Sequence, residues 1–210
     1  MTISGMGARS SIDPAEIEKF EAMAAEWWDP SGKFKPLHML NPVRLDYIAG
    51  QIAAEFGRDR RSLRPFEGLR LLDIGCGWGP ITIALAQAAP EVRVTAVDVN
   101  QRSLQLTAEN ARSLGLTGVE TALPQDVPEG RTFDTIWSNP PIRVGKQELH
   151  DILMMWLPRL APGGTAWLVV QKNLGGDSLQ RWLAATLGEG YCVDRAATDK
   201  GFRVITVQRA

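Results

Sequence analysis

Asp73-Ile74-Gly75-Cys76-Gly77-Trp78-Gly79 sets three glycines at alternate positions behind an acid, directly after the apolar run Leu69–Ile74. Glycines at this spacing let the backbone turn sharply and approach a ligand closely. A helix starting at Pro80 adds its free amides and positive dipole end to the same place. Gly75, Cys76, Gly77 and Gly79 then form a cradle, and Asp73 meets an amino group on the ligand, directly or through water. Asp98 closes the next apolar run, where a carboxylate accepts both hydroxyls of a ribose. Asp126, in Pro124-Gln125-Asp126-Val127, is placed to accept from an adenine amino group; the alternative is a solvated loop acid. Val99 and Val127, next to these two acids, join the expected cofactor contacts. A dinucleotide is the competing ligand, but Asp73 ahead of the first glycine would repel a pyrophosphate.

A second constellation is Ser138-Asn139-Pro140-Pro141-Ile142, after the run Thr132–Trp137. Its prolines hold the segment extended. The Asn139 side-chain oxygen and the Pro140 carbonyl can both accept from one amino group, which would orient a planar exocyclic amine toward the cofactor. Positioning of this kind supplies much of a rate enhancement, and no strong base is needed if the proton leaves last. Asn139, Pro140 and Pro141 are therefore the expected catalytic residues, with Asn139 also beside the cofactor. A phenol would need a base or metal near its hydroxyl, and none is evident. Arg143 and Lys146 follow at once, and Lys172-Asn173 follows the next strand on the same edge. They read equally as phosphate contacts or as solvated loop charges. Trp27, Trp28, Phe34 and His38 either roof the pocket or, for the tryptophans, pin the first helix to the core.

The elements that must carry these residues follow from periodicity. Asp13 caps a first helix with Pro14 at its first position and Ile17, Phe20, Met23 and Ala24 on one face. A second helix follows Asn41-Pro42 to about Phe56, with Leu45, Ile48, Ile52 and Phe56 as its apolar stripe. The Arg-rich stretch 57–65 reads as a connector. From Leu69 strands and helices alternate, as in a parallel sheet with crossover helices. Strands are expected at Leu69–Ile74, Val92–Val97, Val119–Ala122, Thr132–Trp137 and Ala166–Val170. Helices are expected at Pro80–Ala89, Gln101–Leu114, Lys146–Leu160 and Ser178–Leu187. Two last strands, Tyr191–Ala196 and Phe202–Gln208, flank the turn at Asp199-Lys200-Gly201.

The chain of 210 residues, 44% of them hydrophobic, is enough for one well-buried core and a short extension. A net charge of -1 without a polybasic tail gives no strong nucleic-acid footprint, though local patches survive a neutral total. Cys76 and Cys192 lie far apart, and His38 and His150 are the only histidines, so neither a disulfide framework nor a metal site is expected. No stretch approaches the roughly 18 apolar residues of a membrane span, and Met1–Ser11 does not read as a secretory signal; the expected location is cytoplasmic.

The segments LLDIGCGWGPI, VTAVDVN, SNPPIRVGK, LHDILMMWLPRLAPGG, LVVQKNLGGDSLQRWL and KGFRVITV, from about Leu72 to Val207, resemble the bacterial small-subunit ribosomal RNA guanine-N2 methyltransferases. That resemblance covers about two-thirds of the chain. It implies a Rossmann-like class I methyltransferase: α/β, with a seven-stranded mostly parallel sheet whose last strand is antiparallel. It implies S-adenosyl-L-methionine as cofactor and a guanine amino group held by Asn139 and Pro140. Ile142, Arg143, Lys146, Lys172 and Asn173 are then expected near the substrate. The stretch IDPAEIEKFEAMAAEWWDPSGKFKPLHMLNPVRLDYI, with IAAEFGRD and LRLLDIG, resembles a second family, the ubiquinone-biosynthesis O-methyltransferases. There the segment is a helical cap, which implies His38 near the substrate and Arg44 near the cofactor.

Each resemblance is incomplete. The RNA family's segment before strand one is missing, as are the quinone family's strand-four end and membrane-associating insertion. The join falls near Gly77-Trp78, in a loop both families share, and reads as a recombined or engineered chain. The expected division is a cap and connector over 1–65 and a catalytic core over 66–210. Three functions follow: guanine-N2 methylation of small-subunit RNA, favoured by the Asn-Pro-Pro segment; O-methylation of a polyprenyl catechol, favoured by the cap; or cofactor binding without catalysis.

Overall fold

Seven strands pair into one sheet in the computed structural model, which describes residues 46–62, 64–140, 145–171, 175–199 and 201–210. The strands are β1 (Arg70–Ile74), β2 (Arg93–Val97), β3 (Val119–Ala122), β4 (Phe133–Ser138), β5 (Leu160–Gln171), β6 (Tyr191–Asp199) and β7 (Phe202–Arg209). Their spatial order is β3-β2-β1-β4-β5-β7-β6. β1 to β5 pair in parallel, and β7 runs antiparallel to both of its neighbours. The expected α/β sheet with an antiparallel last strand is therefore present. The helix expected from Asp13 and the first turns of the next lie outside the described residues.

Successive residues of a strand point to opposite faces, so an apolar strand must be covered twice. On one face Leu72, Ile74, Ile136 and Leu168 pack with Leu149, Leu153 and Trp156 of α4 (Lys146–Trp156) and with Leu179 and Leu183 of α5 (Gly176–Leu187). On the other, Leu71, Val94, Trp137 and Trp167 meet Ile48 and Ile52 of α1 (46–55) and Leu85 and Ala86 of α2 (Pro80–Ala88). Each such aliphatic side chain contributes roughly 1.5–3 kcal/mol on burial. Trp137 and Trp167, opposite each other in β4 and β5, stack with centroids 5.4 Å apart and planes 6° from parallel. Tyr47 of α1 meets Trp167 edge-on. Between β2 and β3, α3 (Gln101–Ser113) starts at Asn100, whose side chain accepts from the amides of Arg102 and Ser103.

Three boundaries differ from expectation, and β6 is one of them, running on to Asp199 where a turn was expected. α4 stops at Trp156 instead of Leu160, because Pro158 sits in a 3-10 turn over Leu157–Arg159. β5 then begins at Leu160, ahead of the Pro162-Gly163-Gly164 segment read as a turn. Leu160 pairs with Phe133 across a register shift, and Gly164 passes so close to β4 that a Cβ there would lie 2.7 Å from the Asp134 carbonyl.

Candidate active site

Register brings the two constellations together. Ile74 of β1 lies opposite Val97 of β2 and opposite Ser138 of β4. The next residues, Gly75, Asp98 and Asn139, therefore leave the sheet side by side at its C-terminal edge, where open α/β sheets bind ligands. Val97 also pairs with Ala122, which brings the Pro124–Asp126 turn to the same edge.

The glycine loop is held from both sides. The amides of Gly75 and Cys76 donate to the Val97 carbonyl at 2.9 and 3.1 Å. Asp98 accepts from the Gly77 amide through one oxygen and from the Asn100 amide through the other, both at 2.9 Å. Each oxygen keeps lone-pair capacity for a ligand hydroxyl. From α3, Thr107 donates its hydroxyl to the Gly77 carbonyl at 3.0 Å, and Asn110 donates its amide to the Trp78 carbonyl at 3.1 Å. Sequence reasoning missed both. Their signal is a polar pair three apart on a helix that follows the loop. Gly79 precedes α2 at φ +92, and a Cβ there would lie 2.8 Å from two atoms of Thr107. The loop thus closes against α3 only with glycine at that point.

Asp73 is 2% exposed and accepts a hydrogen bond from the Thr82 hydroxyl at 2.6 Å. Burial pushes its carboxyl up to about 6; the Thr82 bonds pull it down, and the Asp98 charge adds a smaller upward push. Sequence reasoning gave Asp73 an amino-group partner on the ligand; the structure gives it a protein partner, Thr82. Cys76 is buried against Thr107, and burial first, then the Asp73 and Asp98 charges, raise its thiol far above the ordinary range. Its side chain is a packing element of the cradle. Val99 is 82% exposed beside Asp98, an apolar surface at the edge of the site. Asp126 is exposed, whereas the Val127 side chain lies in the core and its carbonyl accepts from Arg159.

Asn139 is exposed and Pro140 is buried. Ser138 anchors the start of their loop by donating its hydroxyl to the Ile74 carbonyl at 3.1 Å. Lys146 is the exposed first residue of α4. Pro141, Ile142, Arg143, Lys172, Asn173, Trp27, Trp28, Phe34, His38 and Arg44 lie outside the described residues. Among the described residues no helix is long and apolar enough to cross a membrane.

The methyltransferase small domain profile matches residues 61–206. The chain belongs to the methyltransferase small domain family. Its cofactor is S-adenosyl-L-methionine, and the site fits it: an acid able to take ribose hydroxyls, an exposed apolar side chain beside it, and a buried carboxylate whose charge a cation would restore. This methyltransferase is 40% identical to the ubiquinone biosynthesis O-methyltransferase of Roseobacter denitrificans, over 83% of the chain and 74% of that relative. With the enzyme of that name from Cereibacter sphaeroides it shares 56% identity over 53% of the chain, and it spans only 44% of that relative's length. Among solved structures, the TehB-like SAM-dependent methyltransferase from Corynebacterium glutamicum aligns at TM-score 0.65 and 17% identity, covering 94% of this chain and 100% of that one. The Thermus thermophilus 16S rRNA N2 methyltransferase RsmC, in complex with AdoMet and guanosine, aligns at TM-score 0.58 and 21% identity, covering 70% of this chain and 39% of that one. At these identities the two structures speak for the fold.

Proposed function

We propose that this methyltransferase methylates an exocyclic amine, the N2 of a guanine in small-subunit ribosomal RNA. The observation that carries the reading is the place of Asn139-Pro140, one residue beyond the register that aligns β4 with the glycine loop on β1. When bound, the cofactor supplies an electrophilic methyl on a sulfonium. The Asn139 side-chain oxygen and the Pro140 carbonyl would each accept one hydrogen of the amine. The nitrogen lone pair then projects from the plane those two bonds define, toward the cradle. Ser138, tied to Ile74, and the buried Pro140 ring fix the loop, so the amine is oriented before reaction. The proton leaves the methylated nitrogen to solvent, and no protein base is required.

A second reading has its own support. The relatives named ubiquinone biosynthesis O-methyltransferase favour a polyprenyl catechol. Transfer of a labelled methyl group to unmethylated small-subunit RNA or subunits, with a demethyl-quinol in a parallel tube, separates the two. N2-methylguanosine in the digested RNA is the expected product. Label in the quinol assigns the substrate to the second reading. Label in neither, with cofactor bound, makes the chain a recombined fold that binds cofactor without catalysis.

A further inference from the structure

Three guanidinium groups gather at Asp177, two on its carboxylate and one on its backbone carbonyl, beside the sheet edge that carries Asn139. Asp177, in the first turn of α5, accepts from Arg195 at 2.8 Å through its carboxylate and forms an ion pair with Arg203. Its carbonyl accepts from Arg181 at 3.3 Å. Arg195 also reaches Gln180 at 3.1 Å. Arg203 is 6% exposed, and its Nε has no partner. Asp194, next along β6, falls on the opposite face, where its carboxylate takes the Cys192 thiol. α5 begins at Gly175 without a side-chain cap, so its free amides and dipole add to the positive field.

A network that only pins α5 to β6 and β7 needs one guanidinium for one carboxylate. Here one carboxylate takes both Arg195 and Arg203, and Arg181 reaches only the backbone carbonyl, so three cations face one acid; Arg203, though paired with Asp177, keeps its buried Nε without a partner. One carboxylate offsets only one of the three charges, so a further anion at the exposed side of the cluster would be held favourably. The position suits such an anion. Arg203 pairs with Val170 on β5, and Leu168 of β5 lies opposite Ser138. Two strand spacings, roughly 10 Å, separate the ends of β4 and β7, about the reach from a base to its neighbouring phosphates.

We propose that the exposed Arg181 and Arg195, gathered on Asp177 with the buried Arg203 adding its charge, form a phosphate-binding site for the backbone of a single-stranded RNA whose base enters the Asn139 clamp. The inference rests on the RNA reading above. It assigns to a patch outside the cofactor site the sequence-independent part of binding.

The test is anisotropy of a labelled, unmethylated single-stranded RNA oligonucleotide titrated with the whole chain over a series of salt concentrations. Arg181→Gln and Arg195→Gln, both at exposed positions, should each weaken RNA binding several-fold at low salt. Each should also flatten the slope of log affinity against log salt by about 0.7 for a lost phosphate contact. Cofactor affinity should not change. Asp177→Asn separates the two roles of the cluster: a phosphate site gains RNA affinity when its competing carboxylate is neutralised, whereas a purely structural network gains none. Unchanged RNA affinity in all three variants, or no RNA binding by the wild type, overturns the site. The target is scored separately by product: N2-methylguanosine with unchanged affinity in the variants refutes the phosphate site alone. Arginine-dependent RNA binding without that nucleoside refutes the target alone.

Discussion

Asp98 accepts the Gly77 amide at 2.9 Å, so the acid that ends β2 also fixes the turn that ends β1. One carboxylate shapes the cradle, and it is also the group proposed to take the ribose. Asp98→Ala should therefore weaken S-adenosylmethionine binding by roughly 1.5–3 kcal/mol, the scale of hydrogen bonds to a charged group. Titration calorimetry reads this directly, and an unchanged dissociation constant would remove Asp98 from the site.

Asp73 predicts a pH dependence. Its carboxyl lies at about 6 in the fold against an ordinary 3.8, so the folded state holds the proton more tightly. The stability this adds is fully present below the ordinary value and is lost as pH rises to about 6. Asp73→Asn abolishes that slope. In urea unfolding of the cofactor-free protein, the variant should gain on the wild type between pH 4 and pH 7 by on the order of 3 kcal/mol. It should bind cofactor more weakly at neutral pH, where it lacks the charge. A gap between the two proteins that does not vary with pH would mean that the buried carboxyl is not displaced.

Gly79 and Thr107 should behave as a coupled pair. Gly79→Ala forces a methyl into Thr107 and an L-residue to φ +92, for a loss of about 1–3 kcal/mol. Adding Thr107→Ala relieves the overlap but leaves the backbone strain. A double-mutant cycle should thus show partial recovery. Strict additivity would place the two side chains out of contact.

Asn139→Ala should leave cofactor affinity intact and lower methyl transfer to the amine by about 100-fold or more, the scale on which misplacement of a reacting group is felt. Single-turnover transfer to RNA checks it. A variant that keeps wild-type turnover would show that the clamp is not used.

Much of the sheet is legible because β1, β2 and β4 are short apolar runs ended by chemistry-bearing residues. Their register is what converts Gly75, Asp98 and Asn139 into neighbours, and pairing is not written in any one strand. Three features escape a linear reading for distinct reasons. Pro162-Gly163-Gly164 has turn composition, yet β5 runs through it because Gly164 can press against β4. Thr82 reaches Asp73, and Thr107 and Asn110 reach the loop, only by the rotation of α2 and α3. Arg181, Arg195 and Arg203 come from three elements, and only the antiparallel insertion of β7 beside β5 sets them around Asp177.

The parallel stack of Trp137 on Trp167 has an optical consequence. Excitation passes between indoles 5.4 Å apart far faster than either emits, so the two behave as one luminescent centre spanning β4 and β5. That centre lies two residues from Asn139 along β4. Any slip of the two strands, or any shift of the loop that propagates into them, would part the rings and alter polarisation and near-ultraviolet dichroism. The pair thereby serves as an unlabelled gauge of whether the Asn139 loop and the sheet beneath it remain in register.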